Sequence, residues 1–411
     1  MKLNKGLIGW MMYDFANSAF TTIIVSVVYS AYFVNKVVVG DPGYGELLWG
    51  RAIGISMALV AISAPILGAV ADYSRAKKRM LFINCYLTVL FTALLYFVRA
   101  GDVFQGMLFF IIANFGFNSA NVFYDSFLPD IAKQEDIGKV SGYGWALGYV
   151  GGLISLGYSL VLVSKNVRYV FPAIALHLFI FSLFTLLWLK EYKRPSVRTN
   201  YYRVAYQRIA FSLKNIRRLP QLMRFIVSYF IYNDGITTVI AFASIYGIQR
   251  FKMTTIDMIY YFLIAQVTSI IGAGFFGWLS DRYSAKHSLN ISLLIWIGVV
   301  VWAYFCRTAS EYYLVGLLAG LAIGASQANS RTMLSLLTPV SKQAEFFGFY
   351  ALTGRLSAII GPILYGWIAH KTGSIRLSIL SLIIFFVLGW ILLQGVNLRQ
   401  GMTQATELIK E

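Results

Sequence analysis

Four polar side chains share one face of an otherwise apolar stretch near the N-terminus. Asp14, Asn17, Ser18 and Thr21 are spaced i, i+3, i+4 and i+7, the spacing of neighbours on a helix surface. A second stripe of Asn114, Asn118, Asn121 and Asp125 runs at i, i+4, i+7 and i+11, with Tyr124 beside it. Asn233 and Asp234 interrupt a third apolar run, and Gln327 and Arg331, at i and i+4, a fourth. A carboxylate accepts from an amine, a guanidinium donates a planar fork to a carboxylate, and an amide does both. Asp14, Asn17, Asn118, Asn121, Tyr124, Asn233, Asp234 and Gln327 are therefore the candidate ligands of a polar solute. Burial and nearby charge move a carboxyl pKa towards neutrality, so Asp14, Asp125 and Asp234 are the candidate proton carriers. A competing reading makes the asparagines interhelical fasteners and Asp14 a structural ion pair or an interfacial cap.

Covalent and metal chemistry find no footing. Cys85 and Cys306 fall in separate apolar runs, and His177, His287 and His370 are scattered, so neither a disulfide framework nor a metal-ligand spacing exists. Glycines at 144, 148, 151 and 152, and at 272, 274 and 277, lack the strand and lysine of a phosphate cradle. They suit close helix packing instead. No enzyme activity and no cofactor are expected.

The elements that carry these residues must lie in lipid. Hydrophobic residues make up 58% of the 411 positions and charged residues 13%, far from the composition of a soluble domain. The apolar residues come in blocks long enough to cross a bilayer, near 8–35, 47–71, 80–98, 103–127, 139–164 and 169–189. A second set lies near 222–247, 258–280, 289–307, 312–337, 346–369 and 376–393. The first block contains Asp14 and Asn17 and no small-residue cleavage site follows it, so it reads as a retained helix rather than a signal peptide. With the N-terminus in the cytoplasm, inside segments hold 22 Lys and Arg and outside loops 9, which predicts both termini inside. That bias, with attraction to anionic lipid heads, accounts for the net charge of +18 without nucleic acid.

An internal repeat divides the chain. Gly68 to Asp72 matches Gly277 to Asp281 at an offset of 209, and Pro129, Glu135, Gly138, Gly144 and Gly151 match Pro339, Glu345, Gly348, Gly354 and Gly361 at 210. The expected fold is an all-α membrane protein of twelve transmembrane helices in two pseudo-symmetric six-helix bundles. Residues 1–189 form the N-terminal half, 190–221 a basic cytoplasmic linker, 222–393 the C-terminal half and 394–411 a cytoplasmic tail. In such parallel repeats the substrate lies near the midplane at the repeat interface. The candidate ligands fall on the first and fourth spans of each half, so they are expected to surround one cavity. Gln266 and Arg355 are secondary candidates, for solute or for fastening spans eight and eleven.

These motifs carry a resemblance. Gly68 to Arg79, GAVADYSRAKKR, resembles the motif between helices two and three of the major facilitator superfamily, with Arg75 where a further glycine is usual. Tyr13 to Ser18, YDFANS, resembles the vacuole-effluxer-like branch, whose fungal members export amino acids from the vacuole. The resemblance implies that Asp72, and by repetition Asp281, help close the cytoplasmic side. It also implies that the first and fourth helices of each half line the central cavity. Independently, Asp125 and Arg331 precede Pro129 and Pro339 by 4 and 8 residues, which places both near the inner mouth, where a closing ion pair between them is expected. The rival partner for Asp125 is Arg355.

The function expected is secondary transport of a small polar or zwitterionic solute, an amino acid or related metabolite, coupled to protons. A lipid or lysolipid flippase on the same fold is one alternative, and a receptor or scaffold without transport the other. The expected partners are the solute and membrane lipids, the expected state a monomer, and the expected location a bacterial cytoplasmic membrane.

Overall fold

In the computed structural model, residues 5–73, 76–131, 137–190, 219–339 and 343–407 are described. They contain twelve helices long and apolar enough to cross a membrane. Six precede the basic linker: α1 Lys5–Val37, α2 Tyr44–Tyr73, α3 Lys77–Phe97, α4 Val103–Ser126, α5 Ile137–Lys165 and α6 Val167–Trp188. Six follow it: α7 Pro220–Phe251, α8 Thr255–Arg282, α9 Ala285–Phe305, α10 Ala309–Leu337, α11 in two pieces, Gln343–Leu356 and Ile360–Thr372, and α12 Ile375–Gln394. A final helix, α13, covers Leu398–Glu407.

Local chemistry sets the ends. Thr254 and Asp257 form a reciprocal capping box at the start of α8, and Ser284, Thr308 and Ser374 accept the first free N–H groups of α9, α10 and α12. Lys252 and Gly373 stop α7 and α11 in the left-handed conformation, which glycine adopts without a steric cost.

Two helices depart from regular geometry. In α1, Phe20–Val27 and Phe33–Val37 are π-helical, and the Ser26 hydroxyl reaches back five residues to the Thr21 carbonyl at 3.0 Å. Helix α11 breaks between Leu356 and Ile360. Pro362 follows the break; a proline ring clashes with the carbonyl four residues earlier but fits a first helical turn. Gly152 stands at the repeat-related position, and α5 runs unbroken.

The chain divides into two compact units, Met1–Val39 with Ala52–Ser212, and Gly40–Arg51 with Leu213–Glu411. Within the first, α1 packs on α5 and α6, and α3 packs on α4 and α6. The same pairs recur in the second, with α7 on α11 and α12 and α9 on α10 and α12. The start of α2 groups with the second unit because its glycines admit α11 closely. A methyl group at Gly50 would overlap the Pro362 carbonyl, and one at Gly43 the Ala369 carbonyl.

The core of the first unit is aromatic and aliphatic, with Trp10, Tyr13, Leu81, Phe82, Phe123, Tyr124 and Phe127 buried together. Large apolar side chains such as Ile62, Phe104 and Leu187 are exposed instead. On twelve helices of this length they form the surface that lipid solvates.

Candidate functional site

In the first unit the polar stripes of α1 and α4 meet. Tyr124 donates its phenol hydrogen to Asp14 Oδ2 at 2.7 Å. The Tyr124 ring stacks on Trp10 at 4.5 Å between centroids, the Trp10 indole N–H donates to the Tyr124 carbonyl at 3.1 Å, and Tyr13 packs at 4.8 Å. Asn17 donates to Asn121 Oδ1 at 3.2 Å, and the Ser18 hydroxyl returns to the Asp14 carbonyl at 2.8 Å. The Asp14 carboxylate and the Tyr13 and Tyr124 phenols also lie within electrostatic reach of one another, and Asp125 lies within reach of both phenols.

Helix α5 makes room for this arrangement. A side chain at Gly144 would overlap the Asp14 carboxylate, and one at Gly151 the Phe15 carbonyl. Further along α4 the asparagines act on protein. Asn114 donates to Ser56 on α2 at 2.7 Å, and Asn118 donates to the Asn114 carbonyl and side-chain oxygen at 2.9 and 3.2 Å. Both are buried. The Asn114 bond fastens α4 to α2, while the Asn118 bonds stay within α4; Asp14, Asn121 and Asp125 keep part of their surface open.

The second unit has its own polar cluster. Asn233 donates to the Gly354 carbonyl at 3.2 Å and to Ser357 at 2.7 Å. The neighbouring Asp234 is only 1% exposed, and both of its carboxylate oxygens accept from the Gly361 N–H at 3.0 Å. The break in α11 exposes that donor, and the carboxylate sits where the helix dipole is positive. Tyr232 shares a hydrogen bond of 2.6 Å with Ser330. Tyr229 and Tyr350 stack at 4.1 Å, with the Arg331 charge acting on both phenols. Gln327, Arg331 and Arg355 are half-buried on α10 and α11, and Gln266 is half-buried on α8.

The glycine frame relates the two clusters. The Asp14 carboxylate lies against Gly144 and Asn233 donates to the Gly354 carbonyl; the Phe15 carbonyl lies against Gly151 and the Asp234 carboxylate against Gly361. The acids therefore occupy adjacent, non-equivalent positions in the repeat.

The gating candidates fall in both units. The Asp72 side chain lies outside the described residues, and Asp281 is exposed at the end of α8. Asp125 belongs to the first unit, Arg331 and Arg355 to the second. One helix-end contact escaped the sequence reading. Lys77, the first residue of α3, pairs with Asp130 at 2.7 Å, donates to the Ser126 carbonyl at 2.8 Å and lies over the Phe127 ring. Lys77 sits in the basic cluster of the GAVADYSRAKKR motif and Asp130 follows Pro129, which was the available signal. A second missed residue is Glu46 on α2, an acid only 1% exposed.

Comparison with known proteins follows the same lines. The profile of the family described as "Vacuole effluxer Atg22 like" matches residues 51–406. The chain is 31% identical over 405 residues to the uncharacterized MFS-type transporter YxiO of Bacillus subtilis, covering 94% of each chain. It is 28% identical over 371 residues to autophagy-related protein 22 of Kluyveromyces lactis, covering 81% of this chain and 75% of that one. Among solved structures it is similar to the nucleoside transporter NupG, in a mutant form, with a TM-score of 0.72 at 15% identity over 95% of this chain and 99% of the other. A D-xylose-proton symporter matches with a TM-score of 0.69 at 13% identity, covering 95% and 96%. At these identities the structures bear on the fold alone.

Proposed function

Since the chain belongs to the Atg22-like vacuole effluxer family and is an MFS-type transporter with twelve membrane spans, we propose that its cargo is a small zwitterionic solute, an amino acid or related metabolite. The observation that carries this reading is a division of charge between two aromatic clusters. On α1 and α4 a part-exposed Asp14 carboxylate is held by Tyr124 over Trp10. On α10 the Arg331 guanidinium stands beside Tyr229 and Tyr350. A carboxylate accepts from an ammonium group and an aromatic face favours it further, while a guanidinium receives a carboxylate in a bidentate fork. A zwitterion carries a group suited to each kind of cluster, whereas a sugar carries neither charge.

Transport runs by alternating access on an ion gradient. Asp14, Asp125 and Asp234 are the proton carriers in this reading, because each is a carboxyl on a membrane helix, where ionisation is costly unless a partner is present. Asp14 is the foremost of the three. It is part-exposed, so solute and proton reach the same group, and binding of an amine favours release of the proton. The family's description as an effluxer supports export.

Uptake of labelled amino acids and related metabolites into proteoliposomes, with and without an imposed pH gradient, tests the proposal. Accumulation of a zwitterion that follows the pH gradient is the expected result. Movement of a labelled lipid without solute accumulation overturns it in favour of a flippase, and accumulation indifferent to the gradient overturns the proton coupling.

A further inference from the structure

A second polar feature lies in the first unit, at the end of the bundle where α1 finishes, α3 connects to α4 and α6 begins. A surface pocket of about 570 Å³ there is lined by Tyr32, Lys36, Arg99, Ala100, Val167 and Arg168. Its three cations come from three separate chain segments. Lys36 and Arg99 are exposed and Arg168 is half-buried. Among the described residues no carboxylate lies within ion-pair distance of any of them. The nearby Asp102 turns an oxygen to the Arg99 backbone N–H at 2.9 Å, and its charge reaches Tyr32 along with those of Arg99 and Arg168. Three positive charges against one negative leave the pocket cationic.

The framework is fixed before any ligand arrives. Gly101 N–H donates to the Val37 carbonyl at 2.9 Å, which ties the loop between α3 and α4 to the end of α1. Tyr32 donates to the Val98 carbonyl at 2.9 Å. The Arg168 guanidinium lies over the Tyr96 ring at 5.6 Å, and Asn166 accepts the Arg168 backbone N–H at 3.0 Å. Such packing lowers the ordering cost that long basic side chains otherwise carry on binding.

Like charges gathered without a counter-charge repel, and an anion between them relieves the repulsion. The gathering also runs against the charge pattern of the chain, since this end lies opposite the N-terminus and is expected to be the cation-poor, outer face. We propose that this pocket binds a phosphate group, either on an anionic lipid headgroup or free in solution. Two guanidinium forks and an ammonium suit a phosphate's several acceptor oxygens better than a single carboxylate. The volume exceeds that of a bare ion and falls among ligand pockets of about 300–1,000 Å³. The end of a membrane-spanning bundle is also where headgroups sit.

The test uses the full chain in phosphatidylcholine nanodiscs. Its thermal midpoint is compared after replacing part of the lipid with phosphatidylglycerol, and separately after adding inorganic phosphate at constant ionic strength; native mass spectrometry counts retained lipids. One of the two additions is expected to raise the midpoint, phosphatidylglycerol if the source is lipid and inorganic phosphate if it is free. Lys36→Gln, Arg99→Gln and Arg168→Gln should each weaken binding on the order of tenfold, and the triple variant should lose the shift. A control variant, Arg307→Gln with Lys371→Gln, should keep it. The singles keep the test decisive if the triple variant does not fold. No rise with either addition, or a rise that survives in all three single variants, overturns the proposal.

Discussion

Tyr124 on α4 donates to Asp14 on α1 at 2.7 Å, so the acid of the first polar stripe is held by a residue of the second. A hydrogen bond to a charged group contributes roughly 1.5–3 kcal/mol. Tyr124→Phe keeps the ring on Trp10 and removes only this bond. Solute affinity should fall about tenfold with the yield of monodisperse protein unchanged, measured by uptake and size-exclusion chromatography. Parallel loss of yield and uptake would make the bond merely structural. Asp14→Asn should lose accumulation driven by the pH gradient and keep solute exchange only at reduced affinity, since the amide oxygen accepts from an ammonium without the carboxylate's charge.

Asp234 is expected to behave differently, because both of its oxygens already face the Gly361 N–H at the break in α11. Asp234→Asn keeps an accepting oxygen, whereas Asp234→Ala leaves a buried donor unmatched at about 1–3 kcal/mol. Thermal unfolding in detergent should therefore rank wild type and Asn above Ala. If Ala is as stable as Asn, the capping role is wrong.

The Lys77–Asp130 pair offers a double-mutant cycle. Its members are 6% and 8% exposed, and removing one partner takes the counter-charge from a buried group, at a cost of up to about 3–5 kcal/mol. The losses of thermal midpoint in Lys77→Met and Asp130→Asn should sum to more than the loss in the double variant. Strict additivity would show that the two charges do not stabilise one another.

Glycine substitutions separate packing from flexibility. At Gly151 a methyl group would overlap the Phe15 carbonyl, whereas at Gly157 it would meet nothing within 4 Å. Gly151→Ala should destabilise by about 1–3 kcal/mol through overpacking. Gly157→Ala should be neutral or stabilising by up to about 1 kcal/mol, from helix propensity alone. Midpoints measured by fluorescence-detected size-exclusion chromatography check the order, and equal effects at the two sites would contradict it.

The spans were legible because an apolar block of bilayer length has one common explanation, and the repeat because its glycines sit where helices touch. The polar stripes of α1 and α4 were legible from helical spacing, and they do meet at Asp14 and Tyr124 and at Asn17 and Asn121. Their division of labour was not. Whether an asparagine faces solute or another helix depends on rotation about an axis that spacing leaves free, and Asn114 turns to Ser56 on α2. The π segments of α1 were hidden because an extra residue per turn leaves no mark in hydropathy. The break in α11 left a mark in Pro362, and its consequence for Asp234 required knowing which helix lies alongside. Lys77 and Asp130 lie 53 residues apart, beyond any local pattern.

The glycine frame shared by α5 and α11 also records descent. A duplicated six-helix ancestor would have passed on one packing scheme to both copies, and the glycines that meet α1 and α7 are where it survives. Beside those glycines stand Asp14 and Phe15 in one copy and Asn233 and Asp234 in the other, and Pro362 stands in one copy where the other has Gly152. Geometry is shared while chemistry differs, so the glycine contacts mark what the two copies hold in common and the acids mark what each holds alone.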